Sequence, residues 1–131
     1  MNIRKINPWK WQDPLGFSQA TEIIAPTHVL HCAGQAAMSE DGQPVQAGDM
    51  RGQITLAMNN IETVLKAAGY DWPNVVRLNY YTTDVQQFFA AYDAAIDRLK
   101  RAGCQPASTL LGVAALALPE LMVEIEATAM R

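Results

Sequence analysis

The chain has little that would suggest a secreted, redox or membrane-spanning protein. Only two residues are cysteines, Cys32 and Cys104, and they lack CxxC spacing, so we expect buried or idle thiols rather than a disulfide scaffold. No window approaches the roughly 20 apolar residues of a membrane span, and the N-terminus lacks a signal pattern. We therefore expect a cytoplasmic location and no membrane partner.

Excess positive charge and metal-ligand clusters are also missing. The net charge is −3, whereas nucleic-acid affinity is built mainly from Lys and Arg side chains that neutralise phosphates, so no nucleic-acid partner is expected. His28 and His31 are lone histidines on a predicted strand, and the second is more typical of a packed polar residue than of a ligand. P-loop, GxGxxG and GxSxG motifs are absent as well. We expect no metal and no cofactor.

What the chain does have is enough apolar material for a core. Half of its 131 residues are hydrophobic, and this length is typical of one domain. We predict a single domain over residues 1–131, of a size that oligomerisation would help to stabilise.

The C-terminal quarter carries the clearest pattern. Residues 122–130 alternate between apolar and polar side chains, which is the period of a strand with a core on one side only. Val123, Ile125, Ala127 and Ala129 share one face, and Glu124, Glu126 and Thr128 share the other. We predict a strand here with one covered face.

A second, β-rich segment at residues 107–113 precedes this strand. It follows a helix-breaking proline, and the intervening residues can turn the chain, so the two strands are predicted to form a hairpin. If the hairpin keeps the inward parity of the last strand, Ser108 and Leu110 lie on the same face as Glu124. That face, with carboxylates among apolar neighbours, is the candidate site.

The other elements follow from periodicity and capping signals. We predict strands at residues 2–6, 17–24, 28–35 and 75–83, and helices at residues 50–68 and 85–102. The second and third strands are predicted to pair as a hairpin, while Asp49 and Asp84 are the expected helix N-caps. Gly34, at the end of the third strand, indicates either a bulge or an amide exposed for a ligand.

Trp9 and Trp11 lie in the turn-rich segment between the first two strands. They could line a ligand cleft, but an aromatic pair in a loop more often pins that loop to the body of the protein. Packing is the favoured interpretation, and their function stays open.

The predicted element order, βββαβαββ, is typical of an α+β protein with a mixed sheet and two helices on one face. The second sheet face would then expose an apolar patch unless another molecule covered it. An assembly of identical chains is a natural way to cover it.

The order of motifs resembles that of a known family. Gln105-Pro106-Ala107-Ser108-Thr109 followed by Glu124-Ile125-Glu126-Ala127 is similar to the ending of the Rid family (YjgF, reactive-intermediate deaminase, once labelled L-PSP endoribonuclease), which reads Pro-Ala-Arg-Ser/Thr and then Glu-Ile-Glu-Ala. The resemblance extends back in collinear order to about residue 16, through Ala33-Gly34-Gln35, Gln53, Asn60, Ala67-Ala68-Gly69, Asp84 and Phe88.

The resemblance implies a fold and an assembly. Rid proteins have a chorismate-mutase-like fold, and three of their sheets pack face to face into a trimer with a cleft at each subunit junction. We therefore expect a homotrimer that binds a small-molecule ligand in this cleft.

The resemblance also implies a set of site residues. In the family an Arg holds the substrate carboxylate and a Glu positions water; Ser108 occupies the first position here and Glu124 the second. The family's Tyr, Ser, Asn and Cys positions correspond to Phe17, Ala33, Tyr92 and Leu110, with Gly34 beside them. The expected catalytic residue is Glu124, and the others are expected to bind substrate. Without the guanidinium the pocket suits a less acidic molecule, such as an aromatic one.

Two functions remain open. The first is an imine or enamine deaminase-like hydrolase with altered specificity, in which desolvation suits Glu124 to handle a water proton. The second is a non-catalytic trimer that binds a small metabolite, with Glu124 serving as a structural hydrogen-bond acceptor. No feature of the sequence separates them.

Overall fold

The computed structural model describes residues 1–131, and its strands and α-helices follow the predicted order with one additional α-helix. They are β1 (Asn2–Ile6), β2 (Ala20–Ile24), β3 (Val29–Ala36), α1 (Met50–Ala67), β4 (Val75–Thr82), α2 (Val85–Ala91), α3 (Asp93–Arg101), β5 (Ala107–Gly112) and β6 (Val123–Met130). Two short 3-10 helices, Asp13–Leu15 and Trp72–Asn74, lie in the connections. The predicted α+β class with a mixed sheet is confirmed. None of the helices is long and apolar enough to span a bilayer.

The main sheet has four strands in the order β3-β6-β4-β5. Strand β6 runs antiparallel to both of its neighbours, while β4 and β5 are parallel. The predicted hairpin of β5 and β6 is therefore wrong. The two helices between β4 and β5 return the chain to the same end of the sheet, which makes that pair parallel. Residues 113–122 then carry the chain past β4 to the position between β3 and β4.

The predicted hairpin of β2 and β3 is also wrong. Strand β2 pairs instead with β1 in a separate two-stranded sheet, with Asn2 opposite Ile24. Ala25 adopts a positive φ of 51° between the two strands, a conformation that is uncommon for residues other than glycine. The backbone amides of Thr27 and His28 both donate to the carbonyl of Arg131, each at 2.8 Å. The connection is thus held by the C-terminus rather than by a hairpin turn.

Helix α1 agrees with its sequence pattern. The Asp49 carboxylate accepts a hydrogen bond from the Gly52 amide at 2.9 Å, which caps the helix as predicted. Gly69, with a φ of 79°, follows the end of the helix. The apolar stripe is fully buried and comprises Ile54, Met58, Ile61 and Leu65. It packs against β3 and β6 and forms a large part of the core.

The second predicted helix is divided at Tyr92 into α2 and α3. Its start is confirmed, because the Asp84 carboxylate accepts from the Gln87 amide at 2.9 Å. No glycine or proline marks the division. The Tyr92 amide instead donates to the Phe89 carbonyl at 3.4 Å, an i to i−3 contact, and its hydroxyl donates to the carbonyl of Leu15 at 3.1 Å. A long-range contact, which periodicity cannot reveal, therefore accompanies the break.

The two sides of the main sheet differ completely. The side that packs against the helices, called here the covered face, contains Leu78, Tyr80, Ile125 and Ala127, all of which are buried in the core. The opposite side, called here the open face, contains Asn79, Tyr81, Glu124, Glu126 and Thr128, which are half-buried with no helix against them. The predicted alternation of the last strand is confirmed, since its apolar residues occupy the covered face.

Candidate functional site

Four of the predicted substrate-binding residues lie around one cavity. Phe17, Tyr92, Ser108 and Leu110 surround a volume of about 240 Å³. The lining, called here the aromatic pocket, comprises Trp11, Leu15, Phe17, Tyr80, Phe88, Phe89, Tyr92, Ser108 and Leu110. Residues remote in sequence meet here, and the wall contains no charged side chain.

A set of polar contacts brings Phe17 beside Ser108. The Ser18 amide donates to the Pro106 carbonyl at 3.0 Å, and the Ser18 hydroxyl donates to the Gln105 carbonyl at 2.7 Å. The Gln105 amide group in turn donates to the carbonyl of Phe17 at 3.1 Å. These bonds attach the N-terminal loop to the start of β5. One side of the pocket is therefore fixed by three hydrogen bonds, each of which is accepted by a backbone carbonyl.

The floor of the pocket is a cluster of three rings. Tyr80 lies edge-on to Phe88 and Tyr92, with ring centroids separated by 5.5 and 5.7 Å, and Phe88 is 5.1 Å from Tyr92. Such edge and tilted arrangements match the preferred geometry of aromatic pairs. Because these rings are buried, the cavity above them is preformed.

Trp11 forms part of the wall and contacts Phe17 edge-on at 6.0 Å. It is 61% exposed, and Trp9, which lies outside the pocket, is 58% exposed. The expected packing role is wrong for this pair, because neither indole is buried against the protein body. The two tryptophans are almost equally exposed and differ in that only Trp11 reaches the pocket.

Sequence reasoning did not predict Leu15, Tyr80, Phe88 or Phe89 as site residues, and of these only Tyr80 has a hydroxyl group. Its side chain is 2% exposed, and its hydroxyl has no hydrogen-bond partner. Burial raises the pKa of Tyr80 well above its ordinary value, with a smaller contribution from the nearby Tyr92 hydroxyl. Nothing local in the sequence indicated that the Tyr80 hydroxyl would be fully buried.

Glu124, Ala33 and Gly34 lie elsewhere, on and beside the open face. A register shift between Cys32 and Gln35 marks a β-bulge, which confirms one of the two interpretations of Gly34. A Cβ atom at Gly34 would overlap the Glu124 carboxylate. Glycine is therefore required there for the carboxylate to keep its position.

The prediction that Ser108 and Leu110 share a face with Glu124 is wrong. Ser108 pairs with Leu78, which also pairs with Ala127, and Leu110 pairs with Tyr80, which also pairs with Ile125. Paired residues project to the same side of a sheet, so both site residues lie on the covered face. The assumed hairpin reversed the alternation of β5. Within one chain the sheet separates the aromatic pocket from Glu124.

Glu126 differs from Glu124, although both lie on the open face. Its carboxylate accepts hydrogen bonds from the Asn79 side-chain amide at 3.0 Å and the Tyr81 hydroxyl at 2.5 Å. The bond to Glu126 is the main reason that the pKa of Tyr81 is raised. The role of structural acceptor within the sheet belongs to Glu126, while Glu124 lies against Gly34.

Other reactive groups form no second centre. No group of three or more His, Cys, Asp or Glu side chains is placed to hold a metal ion. Cys32 and Cys104 are buried free thiols, as predicted, and burial raises the pKa of Cys104 to about 12.

Comparison with known proteins resolves the family. The protein-family model described as Endoribonuclease L-PSP matches residues 13–131. The chain belongs to this family. The resemblance to Rid proteins noted in the sequence is therefore confirmed.

Individual relatives of this family cover most or all of the chain. The crystal structure of the Rid-family protein YyfB from Yersinia pestis has a TM-score of 0.91 and 39% identity, with 100% of both chains covered. A RutC family protein from Aquifex aeolicus is 30% identical over 98% of this chain and 100% of its own length. A 2-iminobutanoate/2-iminopropanoate deaminase from Rattus norvegicus is 26% identical over 90% and 84% of the respective chains.

Proposed function

We propose that this protein is an imine or enamine deaminase-like hydrolase with altered specificity, acting on a small metabolite in clefts between the subunits of a homotrimer. Family membership supports the reaction class, because some relatives are named imine deaminases. The altered specificity is inferred from the uncharged wall of the aromatic pocket, which offers no cation to a substrate carboxylate.

The main support for an assembly comes from the position of the predicted site residues, which lie on two opposite faces of the main sheet. Ser108 lies in the aromatic pocket, whereas Glu124 lies on the open face, so one chain cannot place both against one substrate. A neighbouring copy that packs against the open face would supply the missing half. The same packing would cover the half-buried residues on that face, which supports assembly.

Within such a cleft each side chain has a distinct role. Glu124 would position a water molecule and take its proton as the oxygen attacks the imine carbon. Gly34 leaves room for the carboxylate itself, and Ala33, the preceding residue of β3, would contact the substrate. Phe17, Ser108 and Leu110, together with the ring of Tyr92, would contact the substrate. The Tyr92 hydroxyl is already bonded to Leu15, so its ring is the part available to substrate.

Replacement of Glu124 by Gln tests the proposed chemistry. We expect Glu124→Gln to abolish imine hydrolysis and to leave the melting temperature within a few degrees of the wild-type value. The matched control is Glu126→Gln, two positions along the same face, which should retain most of the activity. Release of the carbonyl product from a panel of uncharged imines generated in situ is timed against their spontaneous hydrolysis. If both variants lost activity equally, Glu124 would have no special role.

A non-catalytic binding trimer is the second candidate. The absence of a cation from the aromatic pocket favours it, since the chain would hold a 2-imino acid poorly. We expect weak or no hydrolysis of 2-imino acids derived from short amino acids. Acceleration across a panel of uncharged imines would support the hydrolase. Tight binding of such compounds without turnover would support the second candidate.

A further inference from the structure

The wall of the aromatic pocket leaves two large aromatic side chains in contact with solvent. Trp11 and Phe89 both line the cavity, and they are 61% and 59% exposed. An exposed apolar surface that lines a concave site is typical of a ligand-binding groove. A molecule that fills the cavity would remove this surface from water, and the gain in free energy grows with the apolar area that is covered.

The polar groups of the pocket offer little to a polar ligand. The Tyr92 hydroxyl already donates to the Leu15 carbonyl at 3.1 Å, and the Tyr80 hydroxyl is fully buried. The remaining side-chain groups are the Ser108 hydroxyl and the Trp11 indole N–H, and neither carries a charge. A charged ligand would therefore lose its hydration in the pocket without gaining an ionic partner.

The size of the cavity indicates how large the apolar group is. The volume of about 240 Å³ exceeds the roughly 150 Å³ of a cavity that accommodates benzene in an engineered protein core. A ring with a short substituent would fill it, and ring edges and faces suit the surrounding aromatic side chains. A short aliphatic chain would leave much of the apolar wall in contact with water.

We propose that the aromatic pocket binds the hydrocarbon group of an uncharged imine whose carbon carries an aryl or cycloalkyl ring, and that apolar contact selects this ring. This inference rests on the proposed function, since it names the substrate class for the same cleft. Water adds to the imine carbon and the carbon–nitrogen bond breaks. The oxygen stays on the ring-bearing carbonyl product, and both protons of the water leave on the nitrogen.

A series of hydrocarbon probes tests the apolar contact on the full-length protein. Toluene, ethylbenzene and propylbenzene differ only in the number of methylene groups. Each buried methylene contributes about 0.8 kcal/mol, so we expect the affinity to rise about fourfold at each step in titration calorimetry. A negative change in heat capacity should accompany binding. Affinities that do not rise along the series would overturn the proposal.

Two charged probes of similar shape test the uncharged wall. Benzoate and benzylammonium carry opposite charges at neutral pH, and each should bind at least about tenfold more weakly than toluene, because the charge is dehydrated without a partner. A preference for benzylammonium would indicate a cation held against aromatic faces. That result, or a preference for benzoate, would overturn the proposal.

Two variants on α2 place the binding site. Phe89→Ala removes an exposed ring from the pocket wall and should weaken the binding of propylbenzene severalfold. Val85→Ala removes an exposed apolar side chain one turn earlier, outside the pocket, and should leave the affinity unchanged. Equal effects of the two variants would place the probes elsewhere.

Two tryptophan variants make the same comparison in the N-terminal loop. Trp11→Ala opens the pocket wall and should also weaken propylbenzene severalfold. Trp9→Ala removes an almost equally exposed indole that lies outside the pocket, and it should not change the affinity. An effect of Trp9→Ala as large as that of Trp11→Ala would contradict binding in the pocket.

The probe measurements require no turnover, which separates them from the test of the proposed function. A protein that binds the hydrocarbon series as expected but hydrolyses no imine would lose the hydrolase assignment and keep the ring-binding pocket. If the protein accelerates hydrolysis, the imine of benzaldehyde should be accelerated more than the imine of acetaldehyde. Equal acceleration of the two would keep the hydrolase assignment and overturn the ring selectivity.

Discussion

The covered and open faces of the main sheet are built from the same strands, yet they carry opposite chemistry. Tyr80 and Tyr81 are adjacent on β4. Tyr80 is buried in the core on the covered face, whereas the Tyr81 hydroxyl donates to Glu126 on the open face. The pKa of each is raised, by burial for Tyr80 and mainly by the bond to a carboxylate for Tyr81. A step of one residue thus decides between an apolar pocket and a polar surface, because side chains alternate along a strand.

This contrast explains why neither face is a complete site. The covered face offers an apolar pocket but no acid or base. The open face offers a carboxylate without an enclosing pocket. Packing between copies would combine the two, and variants on each face test the two halves separately.

A charge at the centre of the open face should prevent assembly. We expect the wild type to sediment as a trimer at micromolar concentration and Thr128→Arg to sediment as a folded monomer, because a guanidinium would be buried there beside Arg77. The monomer should also have no imine hydrolysis. Thr55→Arg, on the exposed side of α1, is the matched control and should remain trimeric. A monomeric wild type with a cooperative melt would contradict the divided-site argument.

A cation in the pocket should reverse its preference. Ser108→Arg is expected to increase benzoate affinity about tenfold through charge-assisted hydrogen bonds. Thr55→Arg places the same charge on the exposed side of α1 and should have little effect on benzoate. Hydrolysis of short 2-imino acids should recover only slightly in Ser108→Arg, and further when Phe17→Tyr and Ala33→Ser are added, since several groups must align. Wild-type hydrolysis as fast as that of an Arg-bearing relative would refute the altered specificity.

The two open-face carboxylates should contribute differently to stability. Glu126→Gln weakens two hydrogen bonds to a charged acceptor and should lower the free energy of unfolding by about 1–2 kcal/mol. Glu124→Gln should change it by less than about 0.5 kcal/mol. Urea denaturation at one fixed protein concentration measures both, because assembly adds to apparent stability. A larger loss for Glu124→Gln would reassign the structural role to Glu124.

The smallest expected effect is a shift in tyrosine ionisation. An ionised Tyr81 would face the Glu126 carboxylate, which raises its pKa, so Glu126→Gln should bring this titration to lower pH. The stabilisation linked to Tyr81 is complete below its unfolded-state pKa of about 10 and is lost as the pH rises through its folded-state value. The difference in tyrosinate absorbance between wild type and Tyr81→Phe isolates this group. Tyr80 should not ionise before the protein unfolds.

Local patterns determined much of this architecture. The stripe and caps of α1, the alternation of β6 and the glycine in the β3 bulge each depend on residues close together in the sequence. A helix stripe and a strand alternation have fixed periods, so burial of one side can be inferred without knowing what covers it. The motif series also identified four residues that do meet in one pocket, namely Phe17, Tyr92, Ser108 and Leu110.

Tertiary structure alone decided which of these residues face one another. Strand β6 lies between β3 and β4, so β5 takes its alternation from β4, and this reverses the predicted orientation of Ser108 relative to Glu124. The break at Tyr92 and the unpaired hydroxyl of Tyr80 also arise from contacts between residues distant in sequence. Strand pairing is non-local, and a shift of one residue moves a side chain through the sheet, which is why periodicity located the strands but not the complete site.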